Sequence, residues 1–515
     1  MLTISWKSEW LPLAQRFAEE TAVVDRRGSV GYAALFDMAA GVAAALADEG
    51  VGPGDVVASV VSNTRHAIAA SYGIALAGAT EAAINPALSA TDIEHGLRLA
   101  KATRTLTTGD CCERFSGSGF EVTTVEDIDP VPLAALPDVP VDRDGWSRIL
   151  FTSGTTSKPK GIVHSHGSRW LANVLMRATL PVAPQPGRSI LLMTPFAHGT
   201  SLLTQAFLDG GASVRLVDGV KDDEVLPAIV DNAVDQIFAP PTVLAKLVSL
   251  LKGLSIQSID AIFCGTSPLL PEVYRQARDI FGPVVRITYG KTEMFNPITV
   301  LTPPEVDRWY ASDRAGSSTC VGWPASGVEV VIEAEDGAKA VPGTTGPVLL
   351  RGRHMLVATL TGNGVEPQAP DGFHRTGDLG FLDEEGRLHL VGRESDVIKT
   401  GGYRVTPDEV ESTLRPALDR GELVVVGLPS AYWGEIITAV VAGGAPDWRE
   451  RLAPVIAQMT GYKRPRLMVE VPEIARNAMG KIVRRRIIET VCETNDLVDG
   501  RYPELHSREQ ARTGS

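Results

Sequence analysis

The sequence predicts an α/β protein: a large N-terminal domain with a β-rich subdomain at its end, followed by a small α+β C-terminal domain. Three observations lead there. Short β-branched runs alternate with Ala/Leu-rich segments at helical spacing through the first part of the chain, and beyond about residue 325 the texture turns to strand and turn. From about Asp396 a new helix signal and its own apolar strands begin. The chain's 515 residues exceed the roughly 250 to 300 at which one hydrophobic core stops growing, so at least two domains are expected.

The elements follow in order. Residues 32–49 have helical spacing and 56–61 read as a strand. The small-apolar run 67–84 reads as a packed core helix, because Ser71, Thr80 and Glu81 interrupt it and it falls short of a membrane span. Residues 128–145 carry four prolines and no periodicity, so they read as a surface connection into a strand at 148–152. A helix is expected from near Gly167, strands at 189–193 and 261–263, and a helix at 223–230. Then come strands at 328–332 and 348–351, with a turn at Asp336-Gly337 between them. The segment 381–391 reads as a hairpin split at 383–386. At 406–414 Thr406 is placed to cap a helix, with Pro407 first and Glu409 third. The tail after about Asp496 is polar and aperiodic, so partial disorder is expected there.

Composition narrows the function. With 44% apolar and 22% charged residues the chain is an ordinary globular protein. A net charge of −13 argues against a nonspecific grip on nucleic acid or an anionic membrane. The five cysteines are odd in number and scattered without metal-ligand spacing, which suits free thiols in a reducing compartment. Residues 1–10 mix Lys7 and Glu9 into a short apolar stretch without a secretory core, so a cytoplasmic location is expected.

The chemistry concentrates after the strand at 148–152. Thr152-Ser153-Gly154-Thr155-Thr156-Ser157-Lys158-Pro159-Lys160-Gly161 packs hydroxyls, glycines and two lysines into one short segment. Glycines let backbone N–H groups approach phosphate oxygens, hydroxyls add donors and ammonium groups offset charge, so the composition suits a polyphosphate. No Walker A spacing fits. On this loop alone a flexible Ser/Thr/Gly linker is the competing reading.

Four further motifs follow it in order: Tyr289-Gly290-Lys291-Thr292-Glu293, then Thr376-Gly377-Asp378, then Gly392-Arg393 leading to Lys399-Thr400-Gly401-Gly402-Tyr403, and finally Gly480-Lys481. Together with the loop they resemble the signature of the adenylate-forming superfamily, which includes acyl- and aryl-CoA synthetases, peptide-synthetase adenylation domains and firefly luciferase. The resemblance covers nearly the whole chain. It implies a large domain, 1–394, that binds ATP and an acid, and a small mobile domain, 395–515, that carries a catalytic lysine.

The resemblance also implies roles. Thr152, Ser153, Gly154, Thr155, Thr156, Lys158, Lys160 and Gly161 would cradle the phosphates of ATP. Lys481 would bridge the acid's carboxylate and the α-phosphate, where two anions meet and positive charge is needed. Read without its motif it is a surface lysine, and Ala475 stands where the family often has proline. Glu293 would bind magnesium, which needs only one or two carboxylates besides phosphates. Thr292 would donate to the α-phosphate and Tyr289 would pack on adenine; by residue type alone, a helix start and a core tyrosine serve equally. Asp378 would accept from the ribose hydroxyls, with Arg393 reaching the same sugar. Gly265, Thr266 and Ser267 resemble the loop at the adenine edge.

His198 matches a position where the family places a ring gating the acid pocket. Asn173, Thr288, Gly290 and Met294 are its further candidate lining, a mixture that does not fix the acid. The aspartate that amino-acid-activating domains use is missing, so an acyl or aryl acid is preferred. Ser395 stands at the family's hinge position, where aspartate or lysine is commoner. Gly401, Gly402 and Tyr403 match the segment lining the thiol tunnel, which implies CoA as acceptor. Arg484 to Arg486 would meet CoA phosphates or form a solvated helix face. The expected activity is therefore ATP- and magnesium-dependent ligation of a carboxylic acid to CoA. The rival is a stand-alone adenylating enzyme that serves a carrier protein or another nucleophile. A silent nucleotide-binding protein is disfavoured by the presence of Lys481, Glu293 and Asp378.

Overall fold

The computed structural model describes residues 2–115, 119–152, 159–312, 318–369, 371–477 and 481–508. It forms two compact units. The first comprises 1–311, 321–329 and 351–374, and the second 312–320, 330–350 and 375–515. The chain therefore crosses between units several times before passing finally into the second after His374.

The first unit holds two large sheets. One runs Gly364–Pro367, Ala358–Thr361, Lys160–Ser165, Trp146–Thr152, Thr80–Ala83, Val56–Val60, Arg104–Thr107, Thr123–Thr124. Its last five strands pair in parallel, whereas Lys160–Ser165 is antiparallel to both neighbours. The other runs Val285–Thr288, Ala261–Gly265, Gln236–Phe238, Ser189–Leu192, Ser213–Leu216, Thr21–Asp25, Gly28–Gly31, and is parallel except at its last strand. Strands buried on both faces read as continuous apolar runs, as at Val56–Val60 and Ser189–Leu192. Parallel strands leave a crevice beyond their carboxyl ends, where open α/β sheets place ligands. The segments that begin at Thr266 and Tyr289 leave from two such ends.

Helices Tyr32–Asp48 and Arg65–Leu76 pack against each other in this unit's core. A Cβ at Gly73 would lie 2.5 Å from Val42 Cβ, so only glycine allows that approach. The run 67–84 is not one helix as expected. Its helix stops at Leu76 and Thr80–Ala83 is a strand. Gly78, at φ +75°, takes the left-handed position that ends helices, and Ala79 N closes the turn on Ile74 O.

In the second unit, strand His374–Leu382, all but its first residue, pairs antiparallel with Leu388–Arg393 around a turn at Asp383, the hairpin read from sequence. A further sheet joins Tyr403–Val405, Ile398–Thr400, Gly434–Ala442 and Glu422–Ser430, and Leu467–Val471 pairs in parallel with Gly434–Ala442. Alternation sorts its side chains into two cores. Val424, Val426, Ile436 and Val440 enter one, while Leu423, Val425, Ile437 and Val441 enter the other.

One local expectation here needs correction. Thr406 stands before helix Pro407–Leu414 but makes no side-chain cap, and the Glu409 carboxylate pairs with Lys463 instead. Among the described residues of the tail, Asn495–Val498 and Glu504–Ser507 form a hairpin, with Leu497 and Leu505 packed on the core. That pairing supplies burial which the short, mostly polar strands do not show in sequence.

Candidate active site

The first unit carries one set of candidate residues. Thr152 and Lys160 are Cα partners across antiparallel strands, so the base of the predicted phosphate loop is closed by a ladder. Ser153, Gly154, Thr155, Thr156 and Lys158 lie outside the described residues. Lys160 is exposed. Gly161 sits in a packed interval, where a Cβ would lie 3.0 Å from Ile149 Cγ2.

Tyr289 follows strand Val285–Thr288 and is buried, its N–H donating to Thr299 Oγ1 at 3.0 Å. Thr288 Oγ1 donates to the Thr299 carbonyl at 2.8 Å. These two bonds fix the start of the loop. Gly265 ends the neighbouring strand with its Cα facing Thr288 O, where a Cβ would lie at 2.5 Å. Thr266 holds a left-handed φ of +74°, a cost that non-glycine residues bear at functional turns. Thr266 and Ser267 are exposed, and a Cβ at Gly290 would lie 3.8 Å from Thr266 Cγ2. The structure thus brings the predicted adenine-edge loop beside the predicted adenine-packing loop.

Glu293 keeps about a fifth of its side chain exposed, at 19%. Lys291 Nζ lies 4.0 Å from Oε2 and His374 Nε2 3.9 Å from Oε1. No cluster of three or more His, Cys, Asp or Glu that could cage a metal exists among the described residues. That donor set fits magnesium, which retains waters and takes one carboxylate alongside phosphate oxygens. Glu293 would be that ligand. The nearby His374 had no sequence signal, because nothing in its spacing from Glu293 announces the contact.

The predicted acid-pocket residues are more dispersed. His198 lies in the turn Phe196–Thr200 with a non-helical backbone (φ −119°, ψ −138°), and its carbonyl accepts from Ser201 Oγ at 2.8 Å. Met294 is buried and bridges to Met355. Asn173 is buried on helix His166–Thr179, where its amide donates to Asp209 Oδ2 at 2.5 Å.

The second unit carries the remaining candidates. Asp378 and Arg393 are Cα partners across the hairpin, and Arg393 Nε lies 2.7 Å from Asp378 Oδ1. Thr376 Oγ1 accepts from Asp378 N at 3.0 Å, and Gly377 takes φ +72° in the same turn. The motif residues therefore hold a carboxylate beside a guanidinium, an arrangement of acceptors that a vicinal diol could meet. Lys481 N donates to Asn477 Oδ1 at 3.0 Å while Asn477 N donates to Lys481 O at 2.9 Å. This reciprocal pair fixes the backbone from which the lysine side chain departs.

Ser395 is exposed in the short turn Glu394–Asp396, its hydroxyl donating to Asp396 Oδ1 at 3.0 Å. Gly401 and Gly402, at φ +54° and +84°, form the two-residue turn between strands Ile398–Thr400 and Tyr403–Val405. Tyr403 stacks on Tyr462 with centroids 4.4 Å apart. Arg484 belongs neither to a solvated face nor to a phosphate site. Its guanidinium meets Asp396 at 2.9 Å, Asp408 at 2.8 Å and Glu411 at 2.7 Å. With Nε donating to the Val425 carbonyl as well, four of its five N–H groups are committed within the protein.

A family model for AMP-binding enzymes matches residues 13–357. This chain belongs to the AMP-binding enzyme family. Relatives align with the enzyme along nearly its whole length. It is 29% identical to a 2-succinylbenzoate–CoA ligase of Geobacillus kaustophilus, covering 92% of this chain and 96% of the relative. It is 27% identical to a feruloyl-CoA synthase of Amycolatopsis sp, covering 91% and 95%. Among solved structures, the AMP-binding enzyme resembles o-succinylbenzoate CoA synthetase of Bacillus subtilis in complex with its acyl-adenylate intermediate. The TM-score is 0.82 at 25% identity, covering 98% of this chain and all of that one (100%). An amide bond synthetase of Marinactinospora thermotolerans superimposes with TM-score 0.81 at 25% identity, covering 94% and 99%. The mixed α/β architecture expected from sequence is that of these enzymes. No helix among the described residues is long and apolar enough to cross a membrane.

Proposed function

We propose that the residues described above carry out, in turn, the two half-reactions of an AMP-forming acid–CoA ligase. In the first, a carboxylate oxygen of the acid attacks the α-phosphorus of ATP and pyrophosphate leaves. In the second, the thiol of CoA loses its proton and attacks the acyl carbon, and AMP leaves. The observation that carries the reading is the Thr292–Glu293 turn: a partly exposed carboxylate backed by two nitrogens, one residue beyond a hydroxyl and four beyond a buried tyrosine.

Roles follow from charge. Magnesium, when bound, neutralises phosphate oxygens, and Glu293 holds it. Thr292 donates to the α-phosphate, and Tyr289, Gly265, Thr266 and Ser267 take the adenine. Asp378 accepts from the ribose hydroxyls while Arg393, paired with it, holds its carboxylate in place. Lys481 supplies the charge that two approaching anions need in the transition state. Thr152, Ser153, Gly154, Thr155, Thr156, Lys158, Lys160 and Gly161 complete the phosphate cradle.

After adenylation the C-terminal segment from Ser395 turns, and Gly401, Gly402 and Tyr403 line the thiol's approach. An exposed serine in a short turn can absorb the backbone change. His198, Asn173, Thr288, Gly290 and Met294 remain the assigned acid-side residues, and the domains 1–394 and 395–515 are the functional halves. The five free cysteines support a cytoplasmic setting.

ATP-dependent pyrophosphate release tests this across short, medium, branched and aromatic acids, each with and without CoA, with hydroxylamine trapping any acyl adenylate. Aryl acids come first, because relatives named for 2-succinylbenzoate and ferulate align over nine-tenths of this chain. Turnover that needs both acid and CoA is expected. Trapped adenylate without CoA turnover would move the acceptor to an amine or a carrier protein.

A further inference from the structure

Strand Lys160–Ser165 leads out of the proposed phosphate loop and carries a histidine that the reading above does not use. His164 is fully buried (0% exposed) and lies flat on Phe295, with ring centroids 3.8 Å apart. Its Nε2 is 2.8 Å from the carbonyl oxygen of Thr292. A carbonyl only accepts, so Nε2 carries the proton and donates. Burial pushes the ring's pKa down to about 4, and the imidazole is neutral at pH 7.

The other side of the same loop is also held. Leu356 N donates to the Glu293 carbonyl at 2.9 Å, Phe295 N to His354 O at 3.3 Å, and His354 Nε2 to Pro297 O at 3.0 Å. Val357 N donates to Val163 O at 2.8 Å, which ties this second segment back to the His164 strand. The peptide between Thr292 and Glu293 is therefore pinned from His164, and the carbonyl after it from Leu356. Rotating that peptide would redirect both the Thr292 hydroxyl and the Glu293 carboxylate.

We infer that His164 is a positioning residue for magnesium–ATP: its hydrogen bond to the Thr292 carbonyl couples the strand leaving the phosphate loop to the turn that presents Thr292 and Glu293. This rests on the reading that Glu293 takes the metal. The histidine touches neither nucleotide nor acid. It acts through the loop, and the ring stack on Phe295 sets the angle at which it does so.

The test is equilibrium calorimetry of a non-hydrolysable ATP analogue on the full chain, with and without magnesium, beside adenylation kinetics. His164→Phe keeps a flat ring for Phe295 and removes the donor. One hydrogen bond to a buried carbonyl corresponds to roughly tenfold. The expected result is roughly tenfold weaker binding with magnesium, a smaller loss without it, and a comparable fall in kcat/KM for ATP at unchanged acid KM. His164→Gln, whose amide reaches about as far as Nε2, should recover most of the loss. Magnesium-dependent affinity within twofold of the wild type in folded His164→Phe overturns the inference.

Should that variant not fold, His164→Gln and His164→Asn decide, because the shorter asparagine cannot reach Thr292. Equal magnesium-dependent affinity in those two also overturns it. Failure of the underlying reading looks different: the wild type itself would then bind the analogue equally with and without magnesium.

Discussion

Replacing Asp209 with asparagine should change how the stability of the first unit depends on pH. Asp209 follows helix Ser201–Leu208, and its Oδ1 is sealed from solvent with no hydrogen-bond partner among the described residues. Burial raises its pKa from 3.8 to about 7, against the opposing pull of the Asn173 amide and of Arg177. The fold therefore keeps a proton that the unfolded chain has already lost between pH 4 and pH 7. Stability from this group is full below pH 4 and is lost as pH rises through 7.

The whole difference would be on the order of 4 kcal/mol. Relaxation and water penetration around the ionised carboxylate would reduce the figure to about 2 kcal/mol. Asparagine has nothing to ionise and can still accept from Asn173. Asp209→Asn should therefore match the wild type near pH 4 and exceed it by about 2 kcal/mol at pH 8. Hydrogen exchange of the peptide 201–216, compared between variant and wild type at each pH, cancels the intrinsic exchange rate. Exchange in the variant should be roughly thirtyfold slower at pH 8 and nearly equal at pH 4. A protection ratio that stays flat from pH 4 to 8, or moves the other way, would refute the reasoning.

Three further outcomes are expected. Lys481→Ala should lose at least a hundredfold in adenylation, on the order of 3 kcal/mol, while ATP binding by calorimetry stays near normal; normal acyl-AMP formation would remove the lysine from the reaction. Gly402→Leu should slow thioester formation more than adenylation, since the turn requires φ +84° and a side chain would occupy space that is now open; equal loss in both half-reactions would count against the tunnel. Arg484→Met should destabilise the second unit by about 3 to 5 kcal/mol, because it leaves Asp396, Asp408 and Glu411 facing one another without their cation. A melting curve unchanged from the wild type would show that those carboxylates are solvated.

The sequence was most legible where a local rule acts alone. Period-two alternation and β-branching located strands such as Val328–Ile332 to the residue. Helix Tyr32–Asp48 was readable from spacing. Local rules that compete were harder. The Ala-rich run after Arg65 looked like one helix because the single glycine that stops it, Gly78, is also tolerated inside helices. Arg484 looked like a solvated face because its three partners stand 73, 76 and 88 positions away in sequence.

By itself, the sequence determined the fold class and the family, because five ordered motifs encode turns and phosphate chemistry in contiguous residues. It also named Glu293, Asp378 and Lys481, each of which sits inside such a motif. Only the tertiary structure decided what surrounds them. The stack of His164 on Phe295, its bond to Thr292, the approach of His374 to Glu293 and the pairing of Arg393 with Asp378 all join residues distant along the chain. Contacts of that kind depend on strand register and packing, which no local pattern of residues specifies.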